Sequence, residues 1–219
     1  MKRNCVTCKR LTAQHHVAPE GSLPLERISL SRVFETVGMD MDGPLYCSDG
    51  SKCWIILFTC AVYRAVHLEI VTSCSTDYFL LAFHHFICRR GRPSTVSTDN
   101  GTNFEGANNF FKSIDWKKVM LTFETVPIHW KFNPPSAPWW GGFWERLIRE
   151  VKKLLKRTLG NRKLTLTQIE NLLFEIEAVL NSRPLTYIGA DDAFEPSAAH
   201  FLTEIPNNSL PELDIITPE

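Results

Sequence analysis

The stretch Val37-Gly-Met-Asp-Met-Asp-Gly-Pro44 decides the fold. An apolar, β-like run from Val33 to Met39 leads to Asp40, and Gly43-Pro44 then turns the chain. Acidic residues are mostly solvated surface charges, so a carboxylate ending a buried run invites a search for others placed like it. Asp99 ends the short run Thr95–Thr98 within Val96-Ser-Thr-Asp-Asn-Gly-Thr-Asn-Phe104. Glu145 stands where Phe132-Asn-Pro-Pro-Ser-Ala-Pro-Trp-Trp-Gly-Gly-Phe-Trp-Glu-Arg146 opens a long amphipathic helix. Three carboxylates delivered from two strand ends and a helix start can cage two hard divalent cations. Such cations clamp the attacking and leaving oxygens of an in-line phosphoryl displacement.

The elements between these residues follow from periodicity. Lys52–Val62 and Ala65–Thr72 predict two strands joined tightly at Tyr63-Arg64, with Val66, Leu68 and Ile70 alternating against His67 and Glu69. A helix begins at Ser75 or Thr76. It carries Phe79, Leu80, Phe83, Phe86 and Ile87 at helical spacing and closes on Arg89-Arg90-Gly91, with His84 and His85 as ordinary members. Thr95–Thr98 is a strand, Asn100-Gly101 a sharp turn, Phe104–Phe111 a helix and Val126–Phe132 a fifth strand. Strands alternating with helices in this order imply an α/β layer architecture. Asn133–Gly142 holds three prolines, two tryptophans and two glycines. It cannot be a regular element, because proline lacks the donor N–H and glycine costs order.

The helix that starts at Phe143 shows two faces. Trp144, Leu147, Ile148, Val151, Leu154 and Leu155 form an apolar stripe. Across Arg146–Lys163, eight basic residues against the single Glu150 leave a net charge of +7 on a chain whose total is zero. Such a run is either a solvated face or a track for phosphates. Glu145, Arg149, Lys152 and Lys156 follow one row of the helix, which favours the second reading. Thr167-x-x-Glu170 predicts a capping box for a further helix, with Ile169, Leu172, Leu173, Ile176, Val179 and Leu180 inside and Glu170, Glu175 and Glu177 outside.

Composition sets the frame. A 44% hydrophobic share supports a core, and 219 residues suit one sizeable domain with extensions at both ends. The longest apolar run, Trp54–Val62, is too short to cross a bilayer as a helix. Met1-Lys-Arg-Asn-Cys lacks the apolar core of a signal peptide, and seven cysteines form no disulfide framework. The expected setting is nuclear or cytoplasmic, not secreted. Cys5-Val-Thr-Cys8 is half of a tetrahedral zinc site, but four ligands are needed and His15 and His16 are adjacent. Zinc binding by this chain alone is therefore not expected.

At its three carboxylates the chain resembles the catalytic core of retroviral and retrotransposon integrases. Pro24-Leu-Glu-Arg-Ile28, Tyr63-Arg-Ala-Val-His-Leu-Glu69, Arg89-Arg-Gly-Arg-Pro93 and Asn181-Ser-Arg-Pro-Leu-Thr186 resemble the BEL/Pao group of retroelements. The forty-five residues between Asp99 and Glu145 exceed the retroviral interval, with the added length placed at Ser113–Thr125. The resemblance implies a ribonuclease-H-like fold, a five-stranded mixed sheet flanked by helices. It implies that residues 24–188 form the core, that 1–23 are a remnant of a zinc-binding region, and that 189–219 are an extension rather than a basic β-barrel. It implies catalytic and metal-binding roles for Asp40, Asp99 and Glu145 with two Mg²⁺ or Mn²⁺ ions. Asp40 rather than Asp42 is the expected ligand, because the frame G-x-D-x-x-G-P matches Gly38, Asp40, Gly43 and Pro44. The implied partners are double-stranded DNA, as element ends and as target, and further copies of the chain, with no membrane. Arg149, Lys152, Lys156 and Asn103 are the expected DNA contacts. Trp139 and Trp140 either stack on bases or anchor the loop. The implied activity is a polynucleotidyl transfer that processes DNA 3′ ends and joins them to a target. The alternative is a catalytically silent relic that binds nucleic acid or protein.

Overall fold

The structure, a computed structural model, describes residues 27–113, 126–134, 141–160, 162–186 and 196–203. Cys5 and Cys8, the added length after Ser113, Trp139 and Trp140, and the chain beyond Thr203 lie outside them. Five strands form one sheet: β1 (Thr36–Tyr46), β2 (Lys52–Cys60), β3 (Val66–Val71), β4 (Thr95–Thr98) and β5 (His129–Phe132). Their order is β3-β2-β1-β4-β5. β1 pairs antiparallel with β2, and β2 with β3. β1 pairs parallel with β4, and β4 with β5. The helices are α1 (Thr76–Arg90), α2 (Thr102–Ser113), α3 (Gly142–Leu159), α4 (Leu166–Ser182) and the short α5 (Ala199–Leu202). This is the five-stranded mixed sheet, flanked by helices, that the resemblance implies.

Alternation along the strands divides the core. Val37 and Met39 of β1 join Ile56, Phe58 and the α1 aromatics Phe79, Phe83 and Phe86 on one face. Ile55 and Leu57 join Trp144, Leu147, Ile148 and Val151 of α3, and the apolar side of α4, on the other. Residues of β1 with even numbers from Gly38 to Asp42 therefore look toward α3, since side chains alternate at period two.

Three boundaries and the facing of one residue differ from the sequence expectation. β1 does not end at Asp40 but continues to Tyr46, because β2 goes on pairing past a bulge at Gly43-Pro44, through Leu45↔Cys53. Gly43, at φ +146°, suits that bulge; a Cβ there would stand 2.7 Å from Trp54 Cδ1. β5 begins at His129 rather than Val126, where pairing with β4 begins, at Thr95↔His129, just past Pro127, which has no N–H to offer. α4 is capped by Thr165 and Gln168, not by Thr167 and Glu170. Gln168 N donates to Thr165 Oγ1 at 3.3 Å, and Thr165 N donates to Gln168 Oε1 at 2.9 Å. Leu164 and Ile169, the staple positions around this cap, belong to one apolar cluster.

The fourth difference lies on α4 itself. Glu177 is buried rather than outward-facing, while Val179 is 55% exposed. α4 lies against the outer edge of β3, and polar side chains on its inner face take up that strand's free backbone groups. Leu68 N donates to Glu177 Oε2 at 2.8 Å. Val66 N donates to Asn181 Oδ1 at 2.8 Å, and Asn181 Nδ2 returns a bond to Val66 O at 2.9 Å. Glu177 also receives Arg90 Nη2 at 2.5 Å. His67, fully buried, bonds Glu69 at 2.9 Å and lies 3.5 Å from Glu177. Burial alone would push the His67 pKa down, but the bonds to Glu177 and Glu69 outweigh it and hold it above the usual histidine value.

Candidate active site

Strand register brings the first two carboxylates together. Thr36, Val37 and Gly38 of β1 pair in parallel with Thr95, Val96 and Ser97 of β4. Continuing that register by two residues brings Asp99 level with Asp40, close enough for its charge to act on Asp40. Thr98 accepts a bond from Trp130 Nε1 at 3.1 Å. Just past Asp99, Gly101 N donates to its Oδ1 at 3.0 Å, which fixes the turn into α2.

Gly38 brings α3 to the same face. A Cβ at Gly38 would overlap the rings of Trp144 and Phe143, so glycine is what lets the first turn of α3 sit on the strand. Farther along, Lys152 Nζ reaches Asp42 Oδ1 at 2.6 Å. From Gly38 to Asp42 the strand rises about 13 Å, and from Trp144 to Lys152 the helix rises about 12 Å. α3 therefore runs alongside β1 in the same direction. Asp40 lies midway, and Glu145 starts from the helical turn just before it.

The electrostatics are lopsided. The pKa of Asp40 is pushed up to about 7, by burial first and by the Asp99 carboxylate second. The Met41 N–H, at 2.9 Å from Asp40 Oδ1, pulls it back down. Asp42 raises it further, and Lys152 opposes weakly. Glu145 is not among the groups acting on Asp40. Its carboxylate turns back along its own helix, with Oε1 2.8 Å from where a Cβ at Gly141 would stand. The structure thus pairs Asp40 with Asp99 and holds Glu145 on the same face without closing a cage. Among the described residues no group of three or more His, Cys, Asp or Glu side chains is placed to hold a metal ion. The donor chemistry nevertheless suits a hard divalent cation: Asp40, half-buried, is acted on by the Asp99 carboxylate, while the lysine nearest it, Lys152, is bound to Asp42.

The expected DNA contacts fall in two places. Arg149, Lys152 and Lys156 are exposed along α3, as the phase of the helix predicts. Lys152, however, is already engaged by Asp42. Nothing in the local sequence signals that pair beyond Asp42 sharing the side of Asp40. Asn103 sits with Asp99, Met41, Trp54, Cys74 and Phe104 around a depression of about 270 Å³, its Nδ2 at 3.8 Å from Met41 Sδ.

No family model matches the chain, and no curated protein matches it in sequence. Solved structures do. One is a chain in the cryo-electron microscopy structure of the simian T-cell lymphotropic virus intasome in complex with PP2A regulatory subunit B56 gamma. It shares 17% identity over 98% of this chain and 69% of that one, with a TM-score of 0.60. Another is the HTLV-2 integrase catalytic core domain in complex with magnesium, in its dimeric form. It shares 16% identity over 78% of this chain and 98% of that one, with a TM-score of 0.53. These likenesses establish the fold of the chain as that of an integrase catalytic core.

Proposed function

We propose that the chain is the catalytic core of a retroelement integrase, a metal-dependent polynucleotidyl transferase that processes DNA 3′ ends and joins them to target DNA. The observation that carries this reading is the charge of Asp99 acting on half-buried Asp40 at the end of the β1–β4 pairing, beside Gly38, which admits the first turn of α3. Asp40 and Asp99 would hold one divalent cation, and Asp40 with Glu145 a second. When bound, such cations activate the attacking oxygen and stabilise the leaving one. The protein's share is placement. Asp40 must give up the proton that burial and Asp99 favour, and Glu145 must turn from Gly141 toward the sheet. Arg149 and Lys156, exposed on the same helix, would hold phosphates in line with the carboxylates, and Lys152 would join them on leaving Asp42. Asn103 would meet DNA beside Asp99. A second copy would pack on the α1 and α4 face, where Tyr78, Leu81, Phe174 and Val179 remain exposed. The magnesium and the dimeric form of the HTLV-2 core support these parts of the reading.

A binding-only reading draws on the turned-back Glu145. Supercoiled-plasmid nicking in Mg²⁺ or Mn²⁺ separates the two. Nicking by the wild-type chain that disappears in Glu145→Gln supports the enzyme. Equal, metal-independent background in both leaves the binding module.

A further inference from the structure

Three of the stretches singled out in the sequence, Pro24–Ile28, Tyr63–Glu69 and Asn181–Thr186, have described residues that lie outside the carboxylate arrangement. Each sends an arginine to one place. Arg27, Arg64 and Arg183 line a single cavity of about 580 Å³, together with Arg146 of α3. Glu150 is the one carboxylate of the lining, and Lys153 Nζ already holds it at 2.7 Å.

The arginines are fixed rather than loose. Arg64 occupies the β2–β3 turn at φ +55°, a backbone conformation that L residues rarely adopt. Its guanidinium lies 5.1 Å from the centroid of the Phe143 ring, and that of Arg27 lies 4.6 Å from the same ring. Arg183 Nη2 donates to the Arg64 carbonyl at 3.1 Å, which ties the end of α4 to the turn. One donor is left over. Arg64 Nη1 is shut off from solvent and has no hydrogen-bond partner among the described residues. Burial first, and Arg27 second, hold the Arg64 pKa below the usual arginine range. Crowded guanidinium groups with an unused buried donor cost stability unless an anion joins them.

We propose that this pocket is a phosphate site, taking a phosphoryl group on the guanidinium groups of Arg64, Arg146 and Arg183. A carboxylate offers two oxygens in one plane and satisfies one fork. The pocket's arginines arrive from four separate segments of the chain, so their donors converge from different directions. A tetrahedral phosphoryl group, with several oxygens, matches that convergence. The phosphate comes from a nucleic-acid backbone or from a small polyphosphate. The backbone source rests on the reading of the chain as a DNA-acting enzyme; the pocket itself does not. Its lining includes none of Arg149, Lys152 and Lys156.

The probes are pyrophosphate and a short DNA duplex. Wild-type protein should gain melting temperature in pyrophosphate, and Arg146→Gln and Arg183→Gln should each weaken pyrophosphate binding about tenfold or more. Glu145→Gln should bind it as wild type does. For a backbone source, the same arginine variants also lower the salt slope of duplex binding by about one unit each, and pyrophosphate competes with the duplex. For a small polyphosphate, the slope stays unchanged while pyrophosphate binding is lost. Arg146 is exposed, so its variant folds even if a change at Arg64 disrupts the turn. Pyrophosphate and duplex binding that match wild type in both variants would overturn the proposal. If the wild-type chain never nicks DNA yet binds pyrophosphate through these arginines, the proposed activity falls and the phosphate site stands.

Discussion

Two groups of ionisable side chains occupy the same sheet and are built on opposite terms. At the β3 edge, His67, Glu69, Glu177 and Arg90 meet one another and the strand backbone, and Arg89 and His85 add ion pairs to Glu69. Every charge there has an answer. On β1, Lys152 is bound to Asp42 and only weakly offsets Asp40, whose pKa burial and the nearby Asp99 raise. A compensated cluster holds structure together. The other leaves Asp40 favouring its proton, and the proposed cation site rests on that contrast. The difference teaches that burial of charge does not by itself mark a candidate site; how far neighbouring groups answer the charge separates the two.

The largest expected effect tests that division directly. Asp40→Asn and Asp99→Asn should reduce metal-dependent plasmid nicking to background while the metal-free melting temperature stays level or rises. A variant that loses nicking because it no longer melts cooperatively would mean that these aspartates hold the fold. The mirror experiment is Glu177→Ala. Removing one partner of a buried pair typically costs about 3–5 kcal/mol, so the melting temperature should fall by several degrees or more. Nicking per folded molecule should persist. Retained stability would erase the contrast between the two clusters.

Acidity gives a smaller, sharper contrast. A carboxylate whose folded pKa is raised stabilises the fold below its unfolded value and loses that contribution as pH rises through the folded one. For Asp40 the loss falls between about pH 4 and about 7. His67 is also raised, so its contribution is complete below the ordinary histidine pKa and fades as pH climbs above it. Melting followed across pH should therefore decline in two adjacent windows. Asp40→Asn, or added Mg²⁺, should flatten the first alone, and His67→Gln the second alone. The smallest effect belongs to the surface of α3. Arg149→Ala should lower the salt slope of DNA binding by about one unit. Breaking the half-exposed Lys152–Asp42 pair should cost under about 1 kcal/mol.

The parts of this contrast that sequence could show were local ones. The stripe of α3, the strand at Thr95–Thr98 and the close of α1 on Gly91 are written in short-range periodicity and punctuation. The carboxylates that follow the β1 and β4 runs announced themselves because each ends a β-like stretch. Glu177 was misread as solvent-facing because its partners are distant in sequence: Leu68 is 109 residues away and Arg90 is 87. A buried charge and a solvated one look alike until the third dimension supplies the neighbour. Asp42 and Lys152 failed to show as a pair for the same reason. Glu145 was legible as a residue but not as a side-chain direction, since rotamers leave no trace in a sequence. The arginine pocket was half legible: the stretches that supply Arg27, Arg64 and Arg183 stood out, and their convergence did not.

The way α4 occupies the rim of β3 has a bearing on assembly. Unsatisfied strand edges are templates on which other chains add strands, and long apolar ones seed aggregation. Here Glu177 and Asn181 already consume the outward N–H groups of Val66 and Leu68. No foreign strand can be zipped onto that border without first prising a helix away. Any further copy meeting that side would then press helices together rather than continue the sheet.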